Sequence, residues 1–197
     1  MTPSAVPSIN VPLPVAAHAG KSLTVNSAGT GLEYGDSGIV LQIQKTLFTD
    51  WYYASGLTDE TWHNLSQLNT NITPKYNNSL ILINVNIGRI DCDDSSTVVY
   101  KIMRDNSDIQ SIGDDNVRAT WSSNERHGDD NHAGGVSFTI FDSPNTTNQV
   151  NYKLFYDVEG DKIVVNKNMN QGRNNAVYNG FLHAKTMSNM ILTEIKQ

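Results

Sequence analysis

The residues best suited to chemistry lie together in one polar segment, residues 125–132, with the sequence Glu-Arg-His-Gly-Asp-Asp-Asn-His. Imidazole nitrogens and carboxylate oxygens bind divalent cations, so His127, Asp129, Asp130 and His132 form a candidate metal site. The histidine spacing matches no helical zinc motif, and the segment lacks the ligand rhythm of an EF-hand loop. A solvated loop without a metal is the alternative, because charge-rich turns commonly have no other role. We expect no cofactor.

Sequence patterns of catalysis are missing from the chain. It contains no Gly-x-Ser-x-Gly elbow, no phosphate-binding loop and no His-Glu-x-x-His pattern. Glu194 falls in the last strand pattern and is predicted to be a surface or interface residue. We therefore expect no enzymatic activity and no catalytic residue, with a carbohydrate-active β-sandwich enzyme as an alternative. The glutamates that could supply a glycosidase carboxylate pair, although no pattern places two of them together, are Glu60, Glu125, Glu159 and Glu194.

Aromatic side chains in a polar context form the second candidate site. Trp51, Tyr52 and Tyr53 are consecutive and are predicted to open a loop that contains Trp62 further along. Such rings stack on sugar faces or anchor protein interfaces, so the four residues are candidate ligand-binding residues for a glycan. A flap over the core and a subunit interface are the alternatives.

Composition favours a β protein. Charged residues make up 17% of the chain, and its polarity comes mainly from Asn, Ser, Thr and Gly. Asn, Ser and Thr compete for backbone hydrogen bonds inside helices, so this composition favours strands and turns. The net charge of −6 argues against nucleic acid as a partner.

Cys92 is the single cysteine, which excludes an intramolecular disulfide and a cysteine-rich metal site. Its neighbours Asp91 and Asp93 disfavour a thiolate, so we expect a structural thiol. The N-terminal region has no basic segment before Lys21, and no apolar run approaches membrane-spanning length. We expect neither a secretion signal nor membrane insertion.

Residues 1–36 are predicted to be an attachment region. Four prolines within residues 1–15 favour an extended arm, and a flexible tail is the alternative. Residues 22–25 and 32–34, with a Gly-rich turn between them, predict a small hairpin used in trimerisation or base packing. The arm side chains expected to dock on a neighbouring chain or a larger particle are Val6, Ile9, Val11 and Leu13.

Residues 37–197 are predicted to form an all-β head domain, a β-sandwich or jelly roll. Apolar residues alternate with polar ones in eight or nine short segments separated by turn residues. The clearest pair of segments lies in residues 136–156 and predicts one antiparallel unit around an Asp-Ser-Pro-Asn turn. Leu80 and Leu82 predict that the first half of the longest strand is covered on both faces. A short helix over residues 57–65, with Thr58 as N-cap, is also possible.

Four stretches in order resemble a family of phage tail-fibre-like virion proteins. They are residues 19–35 (AGKSLTVNSAGTGLEYG), 72–75 (ITPK) followed by 79–83 (SLILI), 141–147 (FDSPNTT) followed by Tyr152-Lys153, and 190–195 (MILTEI). The resemblance covers the chain from about residue 16 to its end. It implies a jelly-roll-like domain, usually trimeric, mounted on a virion, and it carries over no catalytic residue.

The resemblance and the residue patterns together predict a virion surface protein, either a short fibre, a spike or a capsid decoration protein. We expect a homotrimer whose partners are capsid, portal or tail proteins, and whose loops contact a host-surface glycan. A purely structural cement protein without a ligand is the alternative.

Overall fold

The computed structural model describes residues 12, 21–25, 28–36, 40–92, 97–109, 122–125, 134–167 and 186–197. These residues form fifteen strands and one 3-10 turn, Ser66–Leu68. Within the described ranges, no helix combines the length and apolarity needed to cross a membrane. The strands are β1 Lys21–Val25, β2 Leu32–Asp36, β3 Val40–Phe48, β4 Tyr52–Ser55, β5 His63–Asn64, β6 Thr70–Ile72, β7 Leu80–Ile87, β8 Ile90–Cys92, β9 Thr97–Arg104, β10 Ser107–Asp108, β11 Ser122–Glu125, β12 Val136–Asp142, β13 Val150–Val158, β14 Lys162–Val165 and β15 Ser188–Ile195.

Two antiparallel sheets form a sandwich. Sheet I has the order β12-β7-β15-β3. In sheet II, β13 pairs with β9 on one side and with β5 and β6 on the other, while β10 and β11 pair along the far side of β9. A third sheet, β4-β14-β8, contributes Ile163, Val165 and Ile90 to the same core. One hydrophobic cluster joins the inner faces of sheets I and II, which makes the fold a β-sandwich.

The path of the chain makes this sandwich a jelly roll. From β3 onward the chain visits sheet I, sheet II with β5 and β6, sheet I with β7, and sheet II with β9 and β11. It then returns to sheet I with β12, crosses to sheet II with β13 and ends in sheet I with β15. These crossings, with the observed neighbours in each sheet, are those of two Greek keys folded together. The predicted all-β jelly-roll class is therefore confirmed.

Several local predictions are also confirmed. The strand β7 buries Ile81, Ile83, Val85 and Ile87, with exposed fractions of 3% or less. In β9, the row Val98, Tyr100 and Ile102 is buried, as the alternation requires. The small hairpin is present, because β1 pairs with β2 in register from Lys21 with Asp36 to Val25 with Leu32. Gly29 occupies its turn with φ +69°, a conformation that glycine adopts without strain.

The antiparallel unit predicted within residues 136–156 is wrong. β12 pairs along its whole length with β7, from Val136 with Ile87 to Asp142 with Ile81. β13 pairs instead with β9, so residues 143–149 cross from one sheet to the other. Each of these two strands has a row of apolar side chains. Because the strands lie in opposite sheets, both rows are buried in the core between the sheets, where they contact more neighbours than they would in a two-stranded hairpin.

Predictions for residues 51–65 also need correction. Tyr52–Ser55 form β4 rather than a loop, and no helix follows them: Thr58 and Thr61 share a hydroxyl hydrogen bond of 3.0 Å, and Glu60 has φ 62°. The segment instead supplies β5 as an edge strand of sheet II.

A buried ionic contact connects the ends of the two sheets. Arg104 on β9 donates through Nη1 to both carboxylate oxygens of Asp142 on β12, at 3.0 and 2.8 Å. The hydroxyl of Tyr152 on β13 donates to Oδ2 of Asp142 at 2.6 Å. The Asp142 side chain is only 9% exposed, so its charge is balanced by Arg104 and Tyr152 rather than by bulk water.

Tyr152→Phe and Tyr100→Phe form a matched pair of test substitutions. Removing the Tyr152 hydroxyl takes a hydrogen bond from the largely buried Asp142 carboxylate and is expected to lower the free energy of unfolding by about 2 kcal/mol. The Tyr100 hydroxyl is buried and has no hydrogen-bond partner among the described residues, so Tyr100→Phe is expected to change stability little. Chemical denaturation measures both values. An equal loss in the free energy of unfolding for the two variants would contradict the role of Asp142 as the acceptor of the stabilising Tyr152 hydrogen bond.

Alkaline pH is expected to unfold the protein steeply. Burial raises the pKa of Tyr152 far above its usual 10.0, and the Asp142 hydrogen bond and charge raise it further. Burial also raises the pKa of Tyr156 and of Tyr100. The unfolded chain releases these protons near pH 10 while the folded chain keeps them, so stability is intact below about pH 10 and falls as pH rises, by up to about 1.4 kcal/mol per pH unit for each tyrosine.

The measurement is the free energy of unfolding between about pH 8 and about pH 12, followed together with tyrosinate absorbance. Tyr156→Phe removes one of the three contributions and is expected to make the decline shallower. A free energy of unfolding that stays constant through this range would show that the buried tyrosines are not the cause.

Candidate functional site

The four aromatic residues predicted to bind a ligand have separate partners. Trp51 is 39% exposed, and the ammonium group of Lys167 lies 4.8 Å from the centre of its ring. The Tyr52 hydroxyl lies 3.1 Å from the Tyr156 hydroxyl, and Tyr52 packs against the core. Tyr53 is half-buried in β4, opposite Val164 of β14.

Trp62 lies beside the outer face of sheet II. The ammonium group of Lys101 lies 4.5 Å from the centre of the Trp62 ring and 3.2 Å from Oδ2 of Asp108. Of the four aromatic side chains, therefore, Trp51 offers the most exposed ring. Their binding of a ligand stays a prediction.

Two sets of predicted residues lie outside the described residues. They are the arm residues Val6, Ile9, Val11 and Leu13, and the metal candidates His127, Asp129, Asp130 and His132. Within the part of the chain that the structure describes, no three His, Cys, Asp or Glu side chains are grouped as a metal site would require.

The prediction that Glu194 is a surface or interface residue is wrong, because Glu194 is 0% exposed within the single chain. Its Oε1 accepts hydrogen bonds from the Lys75 backbone N–H and the Ser79 hydroxyl, both at 2.6 Å. Its Oε2 accepts one from the Gln42 side-chain amide, also at 2.6 Å. The carboxylate thus fastens the connection between β6 and β7 to the last strand. Glu194 lies in the same inward-facing row of β15 as Met190 and Leu192. Because a charged residue in such a row is unusual, the sequence pattern did not predict its burial.

The outer face of sheet I is an extended surface built from four adjacent strands. The registers of its four strands assign fifteen side chains to this face, four each on β3, β15 and β7 and three on β12. None of the fifteen is fully buried. They are Val40, Ile43, Lys45, Leu47, Asn189, Ile191, Thr193, Ile195, Leu80, Leu82, Asn84, Asn86, Ser137, Thr139 and Phe141.

One of these fifteen side chains, Lys45, carries a charge. We call the fifteen residues the neutral face. Eight of them are apolar, and four of those are more than half exposed: Val40 at 52%, Ile43 at 58%, Leu47 at 54% and Phe141 at 54%. By contrast, the outer side of sheet II carries the ion pair between Lys101 and Asp108.

Polar groups on the neutral face are hydrogen-bonded to one another. Asn86 Nδ2 donates to Asn84 Oδ1 at 2.7 Å and to Asn189 Oδ1 at 3.0 Å. The Ser137 hydroxyl donates to Asn86 Oδ1 at 2.6 Å, and Asn84 Nδ2 donates to the Thr139 hydroxyl at 2.8 Å. This ladder holds amide side chains of β7 and β15 and hydroxyl groups of β12 in fixed positions, so the face is preorganised.

The neutral face is suited to packing rather than to chemistry. Its reactive groups are hydroxyls and the single amine of Lys45, and the fifteen side chains include no acid–base pair and no cluster of metal ligands. A contiguous, half-apolar surface on a protein with net charge −6 is instead the type of surface that a partner covers. The sequence contains one indication of this face, because Leu80 and Leu82 predicted that both sides of β7 are covered. Only the strand registers show that these two residues lie on the same face as Ile43 and Phe141.

The chain has a weak structural similarity among known proteins. Neither a scan of protein-family models nor a search of curated proteins finds a match to this chain. Among solved structures, the chain is similar to the crystal structure of the infectious bursal disease virus VP2 subviral particle, with TM-score 0.36 and 10% sequence identity. The match covers 88% of this chain and 46% of that one, so the chain spans less than half of that protein. The jelly-roll assignment rests on the strand order described above.

Proposed function

We propose that the protein is a structural component of a virion surface, a short fibre, spike or decoration protein that functions by packing into an assembly. The observation that carries this proposal is the neutral face, fifteen outward side chains with a single charge on an acidic protein. Surfaces of this kind serve association, because their burial removes apolar area from water without leaving charges unpaired.

Three further features support the virion assignment. The jelly-roll order of the sheets suits a capsid-type or attachment domain, although the fold alone also hosts lectins and other binders. The stretches that resemble phage tail-fibre-like virion proteins fall within or beside the hairpin β1–β2 and the strands β6, β7, β12, β13 and β15. The arm predicted from the prolines of residues 1–15 would attach this head to capsid, portal or tail protein through its apolar side chains.

The test is the composition of purified particles. Mass spectrometry is expected to detect the protein in washed virions, and particle imaging is expected to find it at symmetric surface positions. Deleting residues 2–15 is expected to abolish incorporation while the head remains folded. Absence of the full-length protein from washed particles would overturn the proposed function.

Glycan attachment is a second candidate function, favoured by the exposed ring of Trp51. On a glycan array, Trp51→Ala would remove binding if this ring stacks on a sugar. Tyr76→Ala is the matched control, because Tyr76 is 36% exposed and also lies beneath a lysine, with Lys196 Nζ 5.6 Å from its ring centre. Absence of glycan binding by the full chain would leave the structural function alone.

A further inference from the structure

We propose that the neutral face is the contact surface between copies of this chain, so that its occupant is a second copy of the same protein. The inference rests on the proposed assembly function and names the partner of that surface. Three properties of the face support it: its size, its charge and the state of its polar groups.

The size of the neutral face fits a stable protein–protein contact. Four strands spaced about 4.8 Å apart, each contributing about seven residues at about 3.3 Å, give a footprint of roughly 19 by 23 Å. Because side chains project from the sheet, the accessible area of the face is larger than this flat footprint. It is of the order of the 800 Å² or so that one partner buries in a standard-size interface. A crossing peptide or a small ligand would leave most of the exposed apolar side chains uncovered.

Charge favours a second copy as the occupant. Every copy carries a net charge of −6, so two copies repel each other wherever acidic surfaces approach. The neutral face contains no acidic side chain, and its one charge, Lys45, is attracted to an acidic molecule. Screening limits repulsion to about 10 Å, so contact through this face avoids most of the like-charge repulsion.

The polar groups of the face favour a protein partner over a glycan. A sugar-binding surface needs free donors and acceptors for hydroxyl groups, whereas the amides of Asn84, Asn86 and Asn189 are already engaged with one another. Because these hydrogen bonds survive association, covering the ladder costs little desolvation. The half-exposed Ile43 and Leu47 on the edge strand β3 then supply the apolar contact.

The test compares Ile43→Glu with Ser107→Glu in the full chain by sedimentation equilibrium. Both side chains are exposed and both substitutions add the same charge, but Ser107 lies on β10 at the edge of sheet II, away from the neutral face. The wild-type protein is expected to self-associate, Ile43→Glu to raise the dissociation constant at least about tenfold, and Ser107→Glu to leave it within about twofold. Circular dichroism and thermal unfolding verify that both variants remain folded.

The outcomes separate this inference from the proposed function. A monomeric wild-type protein, or equal self-association of the two variants, would overturn the inference even if the protein is present in washed virions. Absence from washed virions would overturn the virion function while leaving the measured self-association intact. Dimers and trimers that dissociate on Ile43→Glu both support the inference.

Discussion

Replacing Glu194 with alanine is expected to lower the free energy of unfolding by about 4 kcal/mol, because three buried or half-buried donors lose their acceptor at once. These donors are the Lys75 N–H, the Ser79 hydroxyl and the Gln42 amide, each 2.6 Å from a carboxylate oxygen. Ser79 is itself 0% exposed, so water does not readily replace the lost oxygen. A loss of this size is a large fraction of the stability of an ordinary domain.

The Glu194→Gln variant refines this prediction. Its remaining carbonyl oxygen can still accept from Lys75 and Ser79, but its new NH2 group faces the Gln42 donor. The Gln42 amide would have to turn over and give up its hydrogen bond to the Thr73 carbonyl. We therefore expect a loss of about 1–2 kcal/mol, smaller than for alanine.

Denaturant unfolding of the two variants and of Glu159→Ala provides the measurement. Glu159 is exposed, so its truncation is expected to change stability by no more than about 0.5 kcal/mol. If Glu194→Ala and Glu159→Ala have the same unfolding midpoint, the terminal carboxylate does not fasten the connection between β6 and β7.

Replacing Asn166 with alanine is expected to lower the free energy of unfolding by about 3 kcal/mol, because its buried amide connects three separate segments. Asn166 Nδ2 donates to the carbonyls of Phe48 and Asp50, at 3.0 and 2.9 Å. Its Oδ1 accepts from the Ser188 hydroxyl at 2.6 Å, and that hydroxyl in turn accepts from the Gly88 N–H at 2.9 Å.

The Asn166 side chain is tightly surrounded. A Cβ atom on Gly88 would lie 2.7 Å from Asn166 Oδ1 and 2.8 Å from the Met187 carbonyl oxygen, so only glycine fits at position 88. Asn166 itself has φ 65°, a left-handed conformation that asparagine tolerates better than alanine does.

Glycine substitutions separate the two contributions. Asn166→Gly relieves the backbone strain but removes the side-chain hydrogen bonds, so its loss is expected to be somewhat smaller than for alanine yet still about 2 kcal/mol. Asn145→Gly is the matched control, because Asn145 has φ 52° and is exposed. Unfolding free energies of the three variants measure the effect, and equal values for the two glycine variants would contradict the role of the Asn166 amide.

The alternation of apolar and polar residues along single strands was sufficient to predict most of the fold class. The row Ile81, Ile83, Val85 and Ile87 is visible in the sequence and is buried as expected, since side chains on a strand alternate between its two faces whatever the partner. The hairpin β1–β2 was likewise predictable, because a Gly-containing turn joins strands that are adjacent in the chain.

Partner choice was not predictable in the same way. β12 and β13 are adjacent in sequence and both alternate, yet they lie in opposite sheets, since pairing with β7 and β9 buries both apolar rows across one core. The same limit applies to Glu194, which looks like an outward residue until its row on β15 is known. A charged residue is tolerated there because donors from distant segments converge on it.

The sequence by itself determined that this is a β protein with alternating strands, an N-terminal hairpin and no catalytic motif. The tertiary structure decided which outward side chains lie next to each other. Ile43, Leu82 and Phe141 are dispersed along the chain, and only the registers of β3, β15, β7 and β12 bring them into one row. Strand registers depend on the packing of the whole core, so the neutral face exists only once the jelly roll has formed.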